Sequence, residues 1–242
     1  ALVTTYSYNS DSGLSEKTTD PAGTITKTFA DRLGRDLYKA ENWSDFAGFA
    51  ETGTGDSTDK SKDRVTKRVY DGLGNLKQLI AMDPNGDGTL SDNQVKTYLF
   101  EDSRNAKLVT NEIYPDSSDT TSSGTDQIKK SYNVDGSLSQ QTDQRGTIVD
   151  YSHTSTRQLE TVSVTTLGSG VDGAVRSIKR SYDSLRRLEK TTSYSGTAGA
   201  GSVVNEIQTA YDDFGAVVAS YQAHGGAVNT STSPKVQYGY DT

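Results

Sequence analysis

Few residues of this 242-residue chain are spaced to do chemistry. The most specific run is Asp83-Pro84-Asn85-Gly86-Asp87-Gly88-Thr89-Leu90-Ser91-Asp92-Asn93-Gln94. Asp83, Asn85 and Asp87 alternate as oxygen donors, Gly88 follows, and Thr89 would offer its backbone carbonyl, the pattern of a calcium loop. Ser91 sits where water often bridges. The twelfth place, which calls for a bidentate Glu, holds Gln94, and Pro84 and the lack of a flanking helix are further departures. The competing interpretation is an enlarged D-P-x-G turn, and the weight falls on that turn. If calcium binds, it stiffens a loop and does no chemistry.

Other candidates are weaker. His153 and His224, the two histidines, have no cysteine nearby and each reads as a surface residue. Asp212-Asp213 and Glu101-Asp102 are adjacent carboxylates, but neighbours on a strand point to opposite faces, so adjacency makes no acid–base pair. Gly53-Thr54-Gly55 and Gly168-Ser169-Gly170 lack the strand-to-helix setting of a phosphate loop, and no nucleophile-elbow or zinc-protease pattern occurs. No catalytic residue and no organic cofactor is expected. The tyrosines Tyr6, Tyr38, Tyr114, Tyr194 and Tyr221 are the side chains freest to stack on a sugar or a partner protein.

Composition removes whole classes. With 25 Lys plus Arg against 32 Asp plus Glu, the net charge of −7 opposes nucleic acid, where binding rests on neutralised phosphates. No apolar run approaches the ~18 residues of a membrane span. Zero cysteines exclude a disulfide framework and thiolate zinc. Basic side chains such as Arg64, Lys67, Arg68, Lys179, Arg180, Arg186 and Arg187 are expected to pair with acids across strands. The N-terminal Ala1-Leu2-Val3 has no signal-peptide pattern, and both ends read as cut from a longer chain.

What positions these residues is a repeat. Tyr70-Asp71-Gly72-Leu73-Gly74-Asn75-Leu76 reads Y-D-x-x-G-x-L; Tyr132 to Leu138, with Gly136, repeats it with Asn for Asp. Tyr211-Asp212 with Gly215 and Val217 is a third copy, and Tyr182-Asp183 with Leu188 a fourth that lacks the glycine. Tyr240 opens another, and looser copies start at Tyr8, Phe29 and Phe100. Tyr182, Tyr211 and Tyr240 are spaced by 29 residues. Asp suits the first corner of a type I turn, and Gly supplies the positive φ that closes it and restores strand twist. An aliphatic residue stands four places before the aromatic at Ile25, Ile128, Ile178, Ile207 and Val236, an even spacing that puts both on one strand face. Thr66 and Lys96 break that rule.

The expected fold is therefore all-β: hairpins forming a long, curling antiparallel sheet over residues 1–242, with no second domain. Asp20-Pro21-Ala22-Gly23, Asp83-Pro84-Asn85-Gly86 and Asp143-Gln144-Arg145-Gly146 form a second set of turns. Longer loops fall at 47–62, 115–126, 195–202 and 222–234, giving one regular and one irregular rim. Helix is expected nowhere beyond a single turn at 45–50. Stacked rows of Tyr, Leu and Ile are expected to form the core, and two open sheet edges suggest a much longer parent.

These units resemble the Rhs/YD-repeat family over essentially the whole chain, Tyr6 to Thr242. The resemblance implies a β-ribbon spiralling into a hollow shell, as in bacterial Rhs-type proteins, where it encloses a C-terminal toxin, or in the related shell of animal teneurins. By that resemblance the chain is a secreted or cell-surface wall segment without enzymatic activity. Its implied partners are the rest of the same repeat chain and an enclosed C-terminal effector. The alternative is an adhesion module that binds glycan or a cell-surface protein through its sheet face and loops.

Overall fold

The computed structural model describes residues 2–10, 13–44, 61–82 and 90–240. The turn expected at 45–50 lies outside the described residues, as does most of the 47–62 loop. Among the described residues the chain is all-β, with helix limited to single 3-10 turns at Leu90–Asp92 and Thr197–Gly199. No described helix is long and apolar enough to cross a membrane.

Two compact units form, Ala1–Glu101 with Val109–Gln127, and Asp102–Leu108 with Ile128–Thr242. In the first, β1 (Thr5–Tyr8), β2 (Ser15–Thr19), β3 (Ile25–Ala30), β4 (Asp36–Glu41), β5 (Arg64–Tyr70), β6 (Leu76–Met82), β7 (Gln94–Leu99) and β8 (Asn111–Ile113) pair antiparallel, each with the next. In the second, β9 (Gln127–Tyr132), β10 (Leu138–Thr142), β11 (Ile148–His153), β12 (Leu159–Thr166), β13 (Ser177–Tyr182), β14 (Leu188–Tyr194), β15 (Val203–Tyr211), β16 (Val217–His224) and β17 (Lys235–Gln237) do the same. Serial pairing follows from the short turns, since two antiparallel strands need only a few residues between them.

A meander sends alternate connections to opposite rims of its sheet. In the first unit one rim carries the turns led by Asn9, Asp31 and Asp71, and the other carries the Asp20 turn. In the second, one rim carries the turns led by Asn133, Thr154, Asp183 and Asp212, and the other carries the Asp143 turn and the 195–202 and 225–234 loops. Those two D-x-x-G turns are no second kind. Each repeats the hydrogen bonds of the Y-D turns, with the leading N–H donating to the carbonyl four residues on, and the glycine N–H donating back to the leader.

The core departs from the expected row of Tyr, Leu and Ile. Among the described residues the buried hydrophobics are Ala40, Val65, Met82, Ile113 and Ala219. Ala40, Val65 and Met82 share one sheet face, packed with Phe29, Tyr38, Trp43 and Ile80. Phe29 and Trp43 meet edge to face at 5.7 Å, and Lys27 lies over both rings. By contrast Leu188, Ile207 and Val236 remain 39%, 45% and 57% exposed. Within each unit the strands pair only edge to edge, so repeat side chains shield one another without becoming fully buried.

Candidate functional site

The recurring turn is the most elaborated feature of the chain. At Asp71 the backbone N–H donates to the Asn75 carbonyl (2.9 Å) and the Gly74 N–H donates to the Asp71 carbonyl (3.0 Å). The Asp71 carboxylate oxygen Oδ1 accepts the N–H groups of Leu73 (2.9 Å) and Asn75 (2.8 Å). Asp212 repeats this with Phe214 and Ala216, and Asp183 with Leu185 and Arg187. Gly74, Gly136 and Gly215 hold φ of 79°, 83° and 89°, the left-handed region that a side chain resists. In the copy without glycine, Arg186 occupies it at 65°.

Before each turn the ladder slips by one residue. Tyr70 opposes Leu76, Tyr132 opposes Leu138, Tyr182 opposes Leu188 and Tyr211 opposes Val217, leaving Lys77, Ser139, Glu189 and Val218 as the extra residues. A bulge bends the strand and re-aims its neighbours. The repeat tyrosines reach over the adjacent hairpin. The hydroxyls of Tyr70, Tyr182, Tyr211 and Tyr240 donate to the carbonyls of Asp36 (3.0 Å), Leu159 (2.8 Å), Leu188 (2.9 Å) and Val217 (2.9 Å). Each acceptor is the first residue of the neighbouring hairpin's returning strand. Arginine adds to the lacing. Arg35 lies 4.5 Å from the Tyr70 ring centre, and Arg187 lies 4.4 Å from that of Tyr211 while donating to the Asp212 carbonyl at 3.2 Å. Tyr70, Tyr182 and Tyr211 are therefore half-buried lateral ties along a rim, and Tyr240 makes the same tie from a side chain 58% exposed.

One copy escaped the sequence reading. His153-Thr154-Ser155-Thr156-Arg157-Gln158-Leu159 makes the same turn: His153 opposes Leu159 across a bulge, Thr154 takes the Asp place, and Arg157 takes the glycine place at φ 66°. His153 stands 29 residues before Tyr182, so the period was the available signal.

Four turn carboxylates, Asp31, Asp102, Asp135 and Asp183, contribute to the acid response. The Arg104 guanidinium holds Asp102 down to about 2. The Arg35 N–H lowers Asp31, and the Ser137 hydroxyl and N–H lower Asp135. At Asp183 local desolvation pulls the other way but is outweighed by the Arg187 N–H and guanidinium. Groups whose folded values are depressed contribute stability that is complete above the unfolded value near 4 and vanishes as pH falls through the folded values. A urea titration monitored by circular dichroism should give a midpoint that holds from pH 7 to 5 and declines between about pH 4 and 2. A midpoint indifferent to pH across that interval would contradict the assignment.

The remaining chemical candidates do not converge. The metal candidates Asp83, Asn85, Asp87 and Thr89 lie outside the described residues. Asp212 is occupied by its turn, Asp102 by Arg104, and Asp213 and Glu101 are exposed beside them. His224 is exposed, its Nδ1 3.3 Å from Asn205 Oδ1. Among the described residues no group of three His, Cys, Asp or Glu side chains is arranged to hold a metal. Of the off-register tyrosines, Tyr6 is exposed, while Tyr38, Tyr114 and Tyr221 lie under Lys67, Lys96 and Lys235, and Tyr194 is half-buried. Arg64 pairs with Glu41 at 3.0 Å and Lys179 with Glu160 at 3.9 Å. Lys96, which breaks the aliphatic rule, bonds Glu112 at 2.7 Å and lies over the Tyr98 and Tyr114 rings. Burial disfavours its charge, but the bonds to Glu112 and Tyr114 outweigh this and raise its pKa.

The rim also presents apolar side chains to solvent. Leu33, Leu73, Val134, Leu185 and Phe214 stand at the turn tips and are exposed, Phe214 to 98%.

Comparison with known proteins leaves the family open. No family model matches the chain, and no curated protein does. Among solved structures it overlays TcdB2-TccC3 without its hypervariable C-terminal region at 15% identity and a TM-score of 0.35, covering 95% of this chain and 13% of that one. A TcdB2-TccC3-Cdc42 structure gives 14% identity and 0.30, covering 92% and 14%. The Photorhabdus luminescens Tc holotoxin pore gives 13% and 0.27, again covering 92% and 14%. The chain thus spans 13–14% of the length of these chains. At such scores the overlays assign neither family nor function.

Proposed function

We propose that this chain is a non-enzymatic wall segment of a large YD-repeat protein, secreted or displayed at a bacterial cell surface, whose sheet helps to enclose or present a cargo or toxin domain. One observation carries the proposal: the repeat tyrosine of each stitched hairpin ties its rim to the hairpin before it. Such ties join neighbours only, so the sheet extends by adding hairpins, which suits a wall. The partners are then the rest of the same repeat chain and the enclosed effector. Adhesion to a glycan or a surface protein is the competing role, and the exposed turn tips favour it.

The lack of cysteine in this chain gives a test. Ladder register puts Gln208 and Gln222 on opposite faces of the β15–β16 pair. Cysteine is introduced singly at each in the full-length parent and treated with a bulky polyethylene-glycol maleimide. A wall leaves one of the two reactive and shields the other until the protein is unfolded. Equal labelling of both in the folded protein would exclude an enclosing role.

A further inference from the structure

The tyrosine ties are not uniform, and two gaps in their series fall where the opposite rim closes in a tight turn. Tyr182 and Tyr211 bridge the β12–β13 and β14–β15 junctions, whose far ends are long loops. Further side chains reinforce both: Gln158 Nε2 donates to the Arg186 carbonyl at 2.8 Å, and Arg187 to that of Asp212 at 3.2 Å. At the β10–β11 junction, closed by the short Asp143 turn, the tyrosine place holds His153. An imidazole is shorter than a phenol, and the Nδ1 of His153 is buried without a partner. Ser137 holds the place from which Arg35 and Arg187 cover the Tyr70 and Tyr211 rings. Pairing between β10 and β11 runs from Thr142 opposite Ile148 to Gln140 opposite Asp150 and stops, although β11 continues to His153. Beyond that point a cleft of about 560 Å³ separates Asn133, Asp135 and Ser137 on one hairpin tip from Tyr151, Ser152 and His153 on the next. An ion pair spans it, Arg157 Nε to Asp135 Oδ2 at 3.5 Å, from an arginine side chain 74% exposed. So exposed a pair holds little and is screened by salt.

The first unit repeats this arrangement. β2 and β3 join through the short Asp20 turn and pair from Thr19 opposite Ile25 to Lys17 opposite Lys27. The tyrosine place at the tip holds Phe29, which has no hydroxyl to donate, and a cleft of about 260 Å³ lies between it and Asn9. The β4–β5 junction beside it is tied by Tyr70 to Asp36. We propose that each unit carries a hinge at its tight-turn junction, β2–β3 in the first and β10–β11 in the second, about which the flanking hairpins spread and close at their tips. The tied junctions move as one piece, because local opening is easiest where few contacts resist it. The second hinge is the freer of the two: Phe29 is packed edge to face on Trp43, whereas nothing bonds the buried nitrogen of His153. In a wall or an adhesion module alike, such hinges set where each unit's sheet changes its curvature.

The test measures the spread of tip-to-tip distances in the second unit. The chain has no cysteine, so nitroxide labels can be placed at chosen sites. Val134, Ser155 and Ser184 are exposed and hold the second place of three successive turns. Val134→Cys with Ser155→Cys spans the β10–β11 cleft, and Ser155→Cys with Ser184→Cys spans the tied β12–β13 junction. Dipolar spectroscopy of the labelled protein should give a broad distance distribution across the cleft and a narrow one across the tie. His153→Tyr should narrow the first distribution and raise the thermal midpoint, because the phenol then donates to the carbonyl of Leu138, the first residue of β10, as Tyr182 does to that of Leu159. Tyr182→Phe combined with Gln158→Ala should broaden the second. Circular dichroism of each variant confirms that its strands persist. Equal widths across the two gaps in the otherwise unsubstituted chain would overturn the proposal, as would a cleft distribution that His153→Tyr leaves unchanged. A second distribution that stays narrow without Tyr182 and Gln158 would do the same, by showing that the ties do not hold the tips.

Discussion

Replacing Met82 with alanine lowers the unfolding free energy by about 2–4 kcal/mol. Among the described residues Met82 is one of the few buried apolar side chains, packed with Ala40 and Val65 against Phe29, Tyr38, Trp43 and Ile80. Truncation loses the transfer energy of the side chain and leaves a cavity that the flanking ladders resist closing, because Val65 is held opposite Met82 and Ala40 opposite Val65. The chain has one tryptophan, and it lies in this cluster, so Trp43 fluorescence during urea unfolding reads the change at its source. Leu73→Ala is the comparison: that side chain is 63% exposed at a turn tip and should change stability by less than about 0.5 kcal/mol. If the two variants unfold at the same urea concentration, the cluster is not the apolar core of its unit.

Much of the architecture was legible because turns are local. The Asp-to-Gly spacing specifies a hairpin through bonds within five residues, and no distant contact can easily override it. Hence all-β character and serial pairing follow from Tyr70 to Leu76 and its copies alone. The turn at His153 was hidden because three of its signature positions changed together, although backbone geometry tolerates all three: Thr154 still caps through its hydroxyl, and Arg157 accepts the left-handed conformation. Its place in the 29-residue period was the surviving trace. The role of the tyrosines was less accessible. An even spacing from Ile178 to Tyr182 fixes which face a ring starts from, but not that its hydroxyl reaches the Leu159 carbonyl of the neighbouring hairpin, a contact between strands that spacing does not encode.

Nor did the alternation of small hydroxyls reveal what covers them. Ser163, Ser177 and Thr192 look like a solvated strand face, yet each is buried. The 195–202 loop folds back over the two serines: the Ala198 N–H donates to the Ser163 hydroxyl at 2.8 Å, and the Gly199 N–H to the Ser177 hydroxyl at 2.9 Å. Ser177 in turn donates to the Gly196 carbonyl at 2.6 Å. Glycine permits that approach, since a Cβ on Gly196 would meet the Ala200 carbonyl at 2.7 Å. In the second unit, then, polar face and irregular rim are one system, in which loops supply the cover that a second layer would otherwise provide.

Glu206 shows how strongly that system depends on single groups. It is buried on β15, where it accepts the Thr192 hydroxyl at 2.7 Å and the Val228 N–H at 3.0 Å. Lys190 approaches to only 3.8 Å from a side chain 35% exposed, so the ion pair adds little and the two hydrogen bonds dominate. Glu206→Ala strands a buried hydroxyl and frees the 225–234 loop from the sheet, at an expected cost of about 2–3 kcal/mol. Glu206→Gln keeps an acceptor oxygen at the same reach and should cost about 1 kcal/mol. Amide hydrogen exchange separates this from general weakening. The Val228 N–H should lose its protection in the alanine variant, while amides in the β13–β14 ladder, such as that of Arg180, keep theirs. Unchanged protection at Val228 would mean that the loop is held by its own internal bonds, such as Asn229 to Ser233, and not by the carboxylate beneath it.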